Sequence, residues 1–488
     1  MRRCIVVALI GLIAPNVLGA QVIASSEKSA GRPPATAAQS SARAPAPVPD
    51  PAYAVSRFEE IWPATPSPRG ERILKHLALR DDGASWLTLA GSVRARESSY
   101  GNFLLSDAAA MQDSYAELRT LLSADLWLGR ASAPHARLFA EVRDAQGFGR
   151  TLPGGVRTNE ADRTDWQNLF ADIAYGGNGV RYGRQELALG RERLVGVGDW
   201  ANSRRAFEGV KGMARLQGMR VELFDGRVVA VRTDAPDRPD STTQFRVVSV
   251  ATLRDRAASR SLLPSAWQGW VMRLQSDRGA SSRTTVGARA LWKVPAGSSL
   301  LTLELEGASQ RGHIRAKAVD AWFSVAEGTV VWKRARWSPS ALLGLDVGSG
   351  TASDTLHRAD AFQPPYATAH GFTGIADVFG RGNLAEARAG FGFEPRRGVQ
   401  VQGVWRHFTR VRTEDGVYNK SNALLRAAAG SRDRAVGDEG DVTVTWPVGS
   451  HLKVQGGAAL VLPGSFLRNA AAGAVAERFV FVSTTVTF

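Results

Sequence analysis

Between residues 116 and 128 the chain alternates: Ala116, Leu118, Thr120, Leu122, Ala124, Leu126 and Leu128 oppose Glu117, Arg119, Ser123 and Asp125. A period of two belongs to a β-strand, whose successive side chains point to opposite faces. One face here is aliphatic and the other is charged, not merely polar. A sheet of such strands has two ways to satisfy both faces. The aliphatic face is buried between two layers with the charges in water, or it meets lipid and the charges line a watery interior.

The split recurs along the chain. Leu87, Leu89, Gly91, Val93 and Ala95 oppose Thr88, Ser92, Arg94 and Arg96; Ala136, Leu138, Ala140 and Val142 oppose Arg137, Glu141 and Arg143; Leu301, Leu303 and Leu305 oppose Thr302, Glu304 and Glu306. Further alternating segments lie near 166–175, 244–253, 267–276, 283–293, 315–325, 341–349, 385–393, 398–410, 438–446, 451–461 and 476–488. Short turn sequences join many of them, among them Gly176-Gly177-Asn178-Gly179, Pro295-Ala296-Gly297-Ser298, Pro395-Arg396-Arg397-Gly398 and Pro447-Val448-Gly449. Glycine and asparagine tolerate positive φ and proline presets a turn, so these read as hairpins. Long polar connections at 144–165, 187–205, 350–383 and 411–437 fall on the opposite end of the sheet. Short turns at one end and long loops at the other are the habit of outer-membrane barrels.

The N-terminus sets the compartment. Arg2 and Arg3 precede an apolar run from Ile5 to Ala14, followed by Gly19 and Ala20. This is a secretory signal pattern, too short for a spanning helix, with cleavage expected near Ala20. Cys4, the single cysteine, lies in that segment, so the mature chain has no disulfide and no thiolate ligand. Residues 21–51 are Ala-, Pro- and Ser-rich with few large apolar side chains, and are expected to be a disordered tether. Residues 52–84 carry enough apolar content to pack as a short plug or a lead-in to the first strand.

A soluble sandwich or propeller also alternates. The signal peptide, the aromatic residues at strand ends (Trp127, Tyr175, Tyr182, Trp292, Trp322, Trp446) and the closing strand ending at Phe488 favour a membrane barrel. In lipid every backbone polar group needs an internal partner, so the sheet must close on itself. The expected fold is therefore all-β: a closed antiparallel transmembrane β-barrel over residues 85–488, with a charged lumen.

The densest arginine path runs from Arg181 to Val210. Its elements Arg181-Tyr182-Gly183-Arg184-Gln185-Glu186-Leu187, Gly190, Arg193-Leu194-Val195-Gly196, Asp199-Trp200, Asn202, Arg204-Arg205 and Phe207-Glu208-Gly209 resemble the signature block of the alginate export family of outer-membrane porins. Segments 362–384 and 437–466 resemble that family's later extracellular segment and closing hairpin. Glu208 stands where the family pattern has an aspartate, and the charge is kept. The resemblance implies an eighteen-stranded monomeric barrel in the outer membrane of a Gram-negative bacterium. It also implies passage of an anionic polyuronate through an arginine-lined constriction whose acidic side chains hold the arginines in place.

Elementary chemistry agrees. The chain carries 61 Lys+Arg against 46 Asp+Glu, a formal net charge of +15, which points to an anionic partner. Guanidinium offers a planar fork that matches carboxylate and does not titrate. The candidate pore-lining residues are Arg94, Arg96, Arg119, Arg137, Arg143, Arg181, Arg184, Arg193, Arg204, Arg205 and Arg289, with Glu117, Asp125, Glu141, Glu186, Asp199 and Glu208 as acidic partners. The bland reading of each is an arginine–carboxylate pair that fills the barrel without touching solute. Arg191 and Arg193 have a second alternative, an exposed loop that meets lipopolysaccharide phosphates.

No catalytic constellation is visible. The seven histidines are scattered without HExxH spacing, no serine sits in a Gly-x-Ser-x-Gly elbow, and the runs at 196–200 and 344–351 lack the lysine of a phosphate loop. His370 reads as a loop residue packed against Phe372. No enzyme activity, cofactor or metal is expected, and nucleic acid is disfavoured because the aromatic stacking pattern for single strands is missing. Expected partners are an anionic polysaccharide or small anionic solutes, outer-membrane lipid with lipopolysaccharide, and a periplasmic export partner. A general anion-selective porin and a non-transport surface-binding barrel are the alternative functions.

Overall fold

The computed structural model describes residues 53–63, 74–81, 83–130, 132–352, 356–368, 370–469 and 473–488. The expected signal peptide and tether lie outside the described residues.

Eighteen long strands follow one another: β1 (Ser85–Gly101), β2 (Asp113–Leu128), β3 (His135–Phe148), β4 (Asp162–Tyr175), β5 (Asn178–Gln185) and β6 (Phe207–Leu216). Then come β7 (Met219–Ala230), β8 (Gln244–Thr252), β9 (Ala266–Ser276), β10 (Ser281–Ala296), β11 (Ser299–Ile314) and β12 (Lys317–Trp332). The last six are β13 (Ser340–Gly348), β14 (Leu384–Arg396), β15 (Val399–Arg410), β16 (Ala435–Val448), β17 (Leu452–Pro463) and β18 (Glu477–Thr487). Each is antiparallel to the next, and β18 returns to β1, from Ser92 opposite Thr487 to Gly101 opposite Arg478. The sheet is a closed barrel.

Closure is completed at Gly91, which exchanges backbone hydrogen bonds with Phe488 (2.9 and 3.0 Å). A Cβ at position 91 would stand 2.5 Å from the Phe488 ring and 2.9 Å from the Leu121 carbonyl oxygen, so only glycine leaves room for the terminal ring at the seam.

The two faces separate as the period-two reading requires. Leu122, Leu138, Ile173, Leu305, Leu343 and Val442 are exposed on the outside, while Arg119, Arg137, Asp172, Glu304, Glu386 and Asp441 are buried. The cause is energetic, since a lysine or arginine on the lipid face at mid-membrane costs about 2–4 kcal/mol.

The turns 176–177, 217–218, 297–298, 397–398 and 449–451 fall at the end holding both barrel termini, and 186–206, 349–383 and 411–434 at the other. Because outer-membrane barrels keep short turns on the periplasmic side, the long loops are extracellular. The connection 253–265 departs from this pattern, being long yet at the periplasmic end. Three strands, β5, β6 and β7, were absent from the alternating segments. One aromatic expectation is corrected: Trp127 faces inward, donates to Asp125 at 3.1 Å and stacks on Trp86, because it shares the register of Arg119 and Asp125.

Candidate functional site

The lumen is filled from both ends by the chain itself. From the extracellular side the β5–β6 loop, 186–206, turns inward and is held by arginines on the inner faces of β1 and β2. Arg94 donates to the carbonyl oxygens of Asp199 (2.6 Å), Trp200 (3.1 Å) and Ala201 (3.1 Å) and to Asn202 Oδ1 (3.3 Å). Arg96 donates to Glu117 and to the Trp200 carbonyl at 2.5 Å, with its guanidinium 3.8 Å from the centre of the Trp200 ring. Arg119 donates to the Asp199 carboxylate at 2.8 Å and to the Asp199 and Ala201 carbonyls at 3.1 Å. Three cations therefore grip one bend of the loop, mostly through its backbone oxygens.

Within the loop, Arg204 pairs with Glu186 and stands 3.8 Å from Asp199. Burial alone would raise the Asp199 carboxyl, but Arg119, Arg204 and Arg94 outweigh it and hold this group well below the ordinary carboxylate range. Arg205 donates to the carbonyls of Gly196 (2.8 Å), Tyr366 (2.5 Å) and Ala367 (3.4 Å) and stands 5.7 Å from the centre of the Tyr366 ring, which fastens this loop to the β13–β14 loop.

A second network crosses the lumen. Arg193, fully buried, reaches from the loop to Glu304 and Glu306 on β11 and approaches Glu327 on β12 at 3.9 Å. Arg289 joins Glu304 at 2.9 Å, and Arg191 reaches Glu327 at 2.7 Å. Arg388 (Glu327, 2.6 Å), Arg406 (Glu386, 3.2 Å, and Asp441) and Arg381 (Asp346, 2.8 Å) continue it round the wall. These last three arginines were missed by the sequence reading. Arg388 and Arg406 were findable, since both sit at period two within alternating segments. The alternative placing Arg191 and Arg193 on an exposed lipopolysaccharide-facing loop is overturned by this inward turn.

From the periplasmic end, residues 53–63 enter the lumen. Phe58 meets Phe139 (5.7 Å, 80°) and Phe170 (5.3 Å, 88°) edge-on, and its carbonyl accepts from Arg137 at 2.6 Å. Arg57 and Glu60 pair at 2.8 Å, Arg57 donates to the Phe488 carbonyl, and Ser56 donates to Glu186. Around this segment Arg137 is paired with Asp125 (2.7 Å) and Arg181 with Asp172 (2.7 Å), while nearer the extracellular end Arg143 is paired with Asp162 and Asp237. Glu141 accepts from Asn168 at 2.9 Å.

Two candidates are placed differently from expectation. Arg184 is opposed in register to Leu169 and Glu208, and Glu208 also to Arg227. That is the register of the exposed Tyr182, Leu169 and Leu223, so both residues belong to the outer side of the sheet near its extracellular rim. Arg184, itself buried, turns its guanidinium to the carbonyls of Trp166 and Asp237 (both 2.9 Å) and to the Asp165 carboxylate (3.3 Å), and lies 3.6 Å from Glu208. The strand pair β5–β6 ends here, beyond the membrane band, where charge on the outer face is tolerated. His370 also departs from expectation, since it stacks on Trp200 (3.6 Å, 4°) rather than against Phe372.

Above the loop bend lies a cavity of about 270 Å³, lined by Arg96, Tyr100, Tyr115, Arg157, Trp200 and Lys420 among others. Among the described residues no group of histidine, cysteine and carboxylate side chains has the arrangement of a metal site.

An eighteen-stranded barrel with a lipid-facing aliphatic surface and inward-folded loops on a charged wall defines an outer-membrane porin-like transport barrel. The alginate export family profile matches residues 85–481, and the chain belongs to that family. No curated relative matches the chain. Among solved structures it is similar to three Pseudomonas aeruginosa proteins. They are OccK9 (OpdG; 12% identity, 82% of this chain, 98% of that one, TM-score 0.57), OccK2 (OpdF) in complex with glucuronate (12%, 82%, 96%, 0.54) and the outer membrane protein OpdK (13%, 82%, 99%, 0.54). At these identities the likeness concerns the fold. Family and architecture place the chain in the outer membrane of a Gram-negative bacterium.

Proposed function

We propose that this barrel passes an anionic polyuronate across the outer membrane through the arginine-walled lumen, without catalysis. The observation that carries the reading is the set Arg94, Arg96 and Arg119 on adjacent inner strand faces, gripping carbonyl oxygens of the 199–202 bend. Those guanidinium groups meet neutral oxygens as well as carboxylates. A uronate carboxylate is a stronger acceptor than a carbonyl, because charge-assisted hydrogen bonds are roughly twice as strong. A polymer arriving at the bend displaces carbonyl for carboxylate and finds further arginines, Arg204, Arg193 and Arg388, along the wall. A series of similar shared sites lets cargo move without being trapped.

In this reading Arg137 and Arg181 hold the periplasmic half, and residues 53–63 are the plug that withdraws before polymer passes. A narrower reading, an anion-selective porin for small solutes, is favoured by the size of the extracellular cavity and by the glucuronate bound to the OccK2 neighbour. Planar-bilayer recording with stepwise addition of oligouronates tests both. Polyuronate passage predicts anion preference and current blocks whose dwell time lengthens with oligomer length. Length-independent blocks leave only the small-solute porin. No conductance with or without the plug sinks both.

A further inference from the structure

The geometry points to an anionic-phospholipid site on one arc of the periplasmic rim, built by the connections β8–β9, β12–β13 and β14–β15. Eight cations stand there exposed: Arg254, Arg256 and Arg260, then Lys333, Arg334 and Arg336, then Arg396 and Arg397. None has a carboxylate partner among the described residues. The nearby acids are engaged: Asp255 pairs with Lys293 at 2.6 Å, and Glu394 accepts the Gly398 N–H at 2.5 Å. In the lumen, by contrast, most cations are paired with carboxylates.

The arc also carries apolar side chains that water does not favour. Leu262 is 95% exposed and Leu263 60%, in a connection otherwise rich in arginine and serine. Their position is fixed from outside the barrel, because Trp292 Nε1, on the lipid-facing side of β10, donates to the Leu262 carbonyl at 2.9 Å. On the β12–β13 connection, beyond the short turn 297–298, Trp337 packs on the outward Phe393 (6.0 Å), with Arg336 4.7 Å above its ring. Leucine and tryptophan at the rim sit at the acyl boundary while adjacent guanidinium and ammonium groups reach phosphate.

The asymmetry separates this from an ordinary interfacial belt. Along the rest of the rim, the connections 129–134, 176–177, 217–218 and 449–451 and the residues beside them present, among the described residues, four exposed cations: Arg130, Arg215, Arg220 and Lys453. An acidic protein or a soluble polyanion would match the charges, but would leave Leu262 and Leu263 in water. The combination selects a phosphate-bearing lipid leaflet. Each basic residue near an anionic membrane surface contributes about 1 kcal/mol, or roughly fivefold in affinity.

Native mass spectrometry of the detergent-extracted barrel, equilibrated with phosphatidylglycerol or phosphatidylethanolamine, tests the site. The wild type should retain phosphatidylglycerol preferentially. The combined variant R254S/R256S/R334S/R336S should lose that preference by tenfold or more, and R130S/R215S/R220S should keep it. L262S/L263S, with charge unchanged, should weaken retention several-fold. Equal retention in the arc and control variants overturns the site. So does arc-dependent binding of soluble polyglutamate while phosphatidylglycerol retention stays unchanged, which would assign the arc to a soluble acidic partner. Single-channel conductance should be unaffected throughout, so the result stands apart from the cargo.

Discussion

Trp200 lies flat on His370, ring centroids 3.6 Å apart and planes 4° from parallel, with the Arg96 guanidinium 3.8 Å away over the ring. The stack joins two extracellular loops, 186–206 and 349–383, to the inner face of β1, and Phe481 closes its edge at 4.9 Å. Burial and desolvation keep His370 below its ordinary value despite Asp377 at 3.1 Å, so the ring stacks as neutral imidazole near pH 7.

Truncating Trp200 to alanine should therefore free the loops while leaving the barrel intact. Loss of a fully buried tryptophan costs about 3–5 kcal/mol of packing, and the half-buried Trp200 should cost less, borne by loop docking and not by the strand ladder. Mean single-channel conductance should rise and open-state noise increase, with the thermal transition of the barrel nearly unchanged. Unaltered conductance would show that the stack does not restrict the lumen.

Residues 53–63 are held chiefly through Phe58, the Arg57 hydrogen bond to the Phe488 carbonyl and the Ser56 hydrogen bond to Glu186. Their deletion should increase conductance more than Trp200→Ala does, and the two changes together should exceed either alone, because they clear opposite ends. Phe58→Ala should give an intermediate phenotype, since it removes the ring between Phe139 and Phe170 but leaves the Arg137 hydrogen bond to the backbone. A deletion that conducts like the parent removes the plug from the mechanism.

Lys75 gives the seating of this region a pH dependence. Burial lowers its pKa from 10.5 to about 8, with Arg57 adding to the fall and Glu60 opposing it. Its Nζ donates to the Leu89 carbonyl at 2.7 Å and lies 5.0 Å from the centre of the Trp62 ring. Between about pH 8 and 10.5 the detached segment binds more protons than the seated one, so seating strengthens as pH rises through that window and is weakest below it. Protease cleavage within 53–63 should slow as pH goes from 8 to 10, by a factor that Lys75→Met abolishes. A protection profile with the opposite slope contradicts the assignment.

The strand pattern was legible where both ends of a strand lie within the lipid band. In β2 the contrast between Leu122 and Arg119 follows directly from lipid outside and charge inside. It failed for β6 and β7, whose outer faces carry Glu208, Asp225 and Arg227. These residues stand beyond the apolar band, where Asp225 pairs with the exposed Arg246 at 3.2 Å and binary contrast is not enforced. The same effect misplaced Arg184, which reads as a lumen residue because arginine on a barrel strand usually is one. The lumen-facing arginines were recoverable from parity alone, but their partners were not. Phe58 sits between Phe139 and Phe170, and Arg193 crosses from loop to β11, through contacts between segments far apart in the chain that no local pattern announces.

Arg193 is the sharpest test of whether the wall network is structural. Its NH1 group meets both Glu304 and Glu306, the latter at 2.6 Å, and the side chain is 0% exposed. Removing one partner of a buried ion pair costs about 3–5 kcal/mol, because the remaining charge is left uncompensated. Arg193→Ala leaves two carboxylates facing each other, with Arg289 reaching only Glu304. Arg193→Lys keeps the charge but loses the planar fork that serves both acids. The barrel's urea midpoint should therefore fall in the order wild type, Arg193→Lys, Arg193→Ala. Glu208→Ala, at the outer rim with a 3.6 Å contact, should stay within about 1 kcal/mol of wild type. Restoring charge balance with Arg193→Ala/Glu306→Gln should recover part of the loss. If it recovers none, the cost lies in the loop's packing and not in its ion pairs.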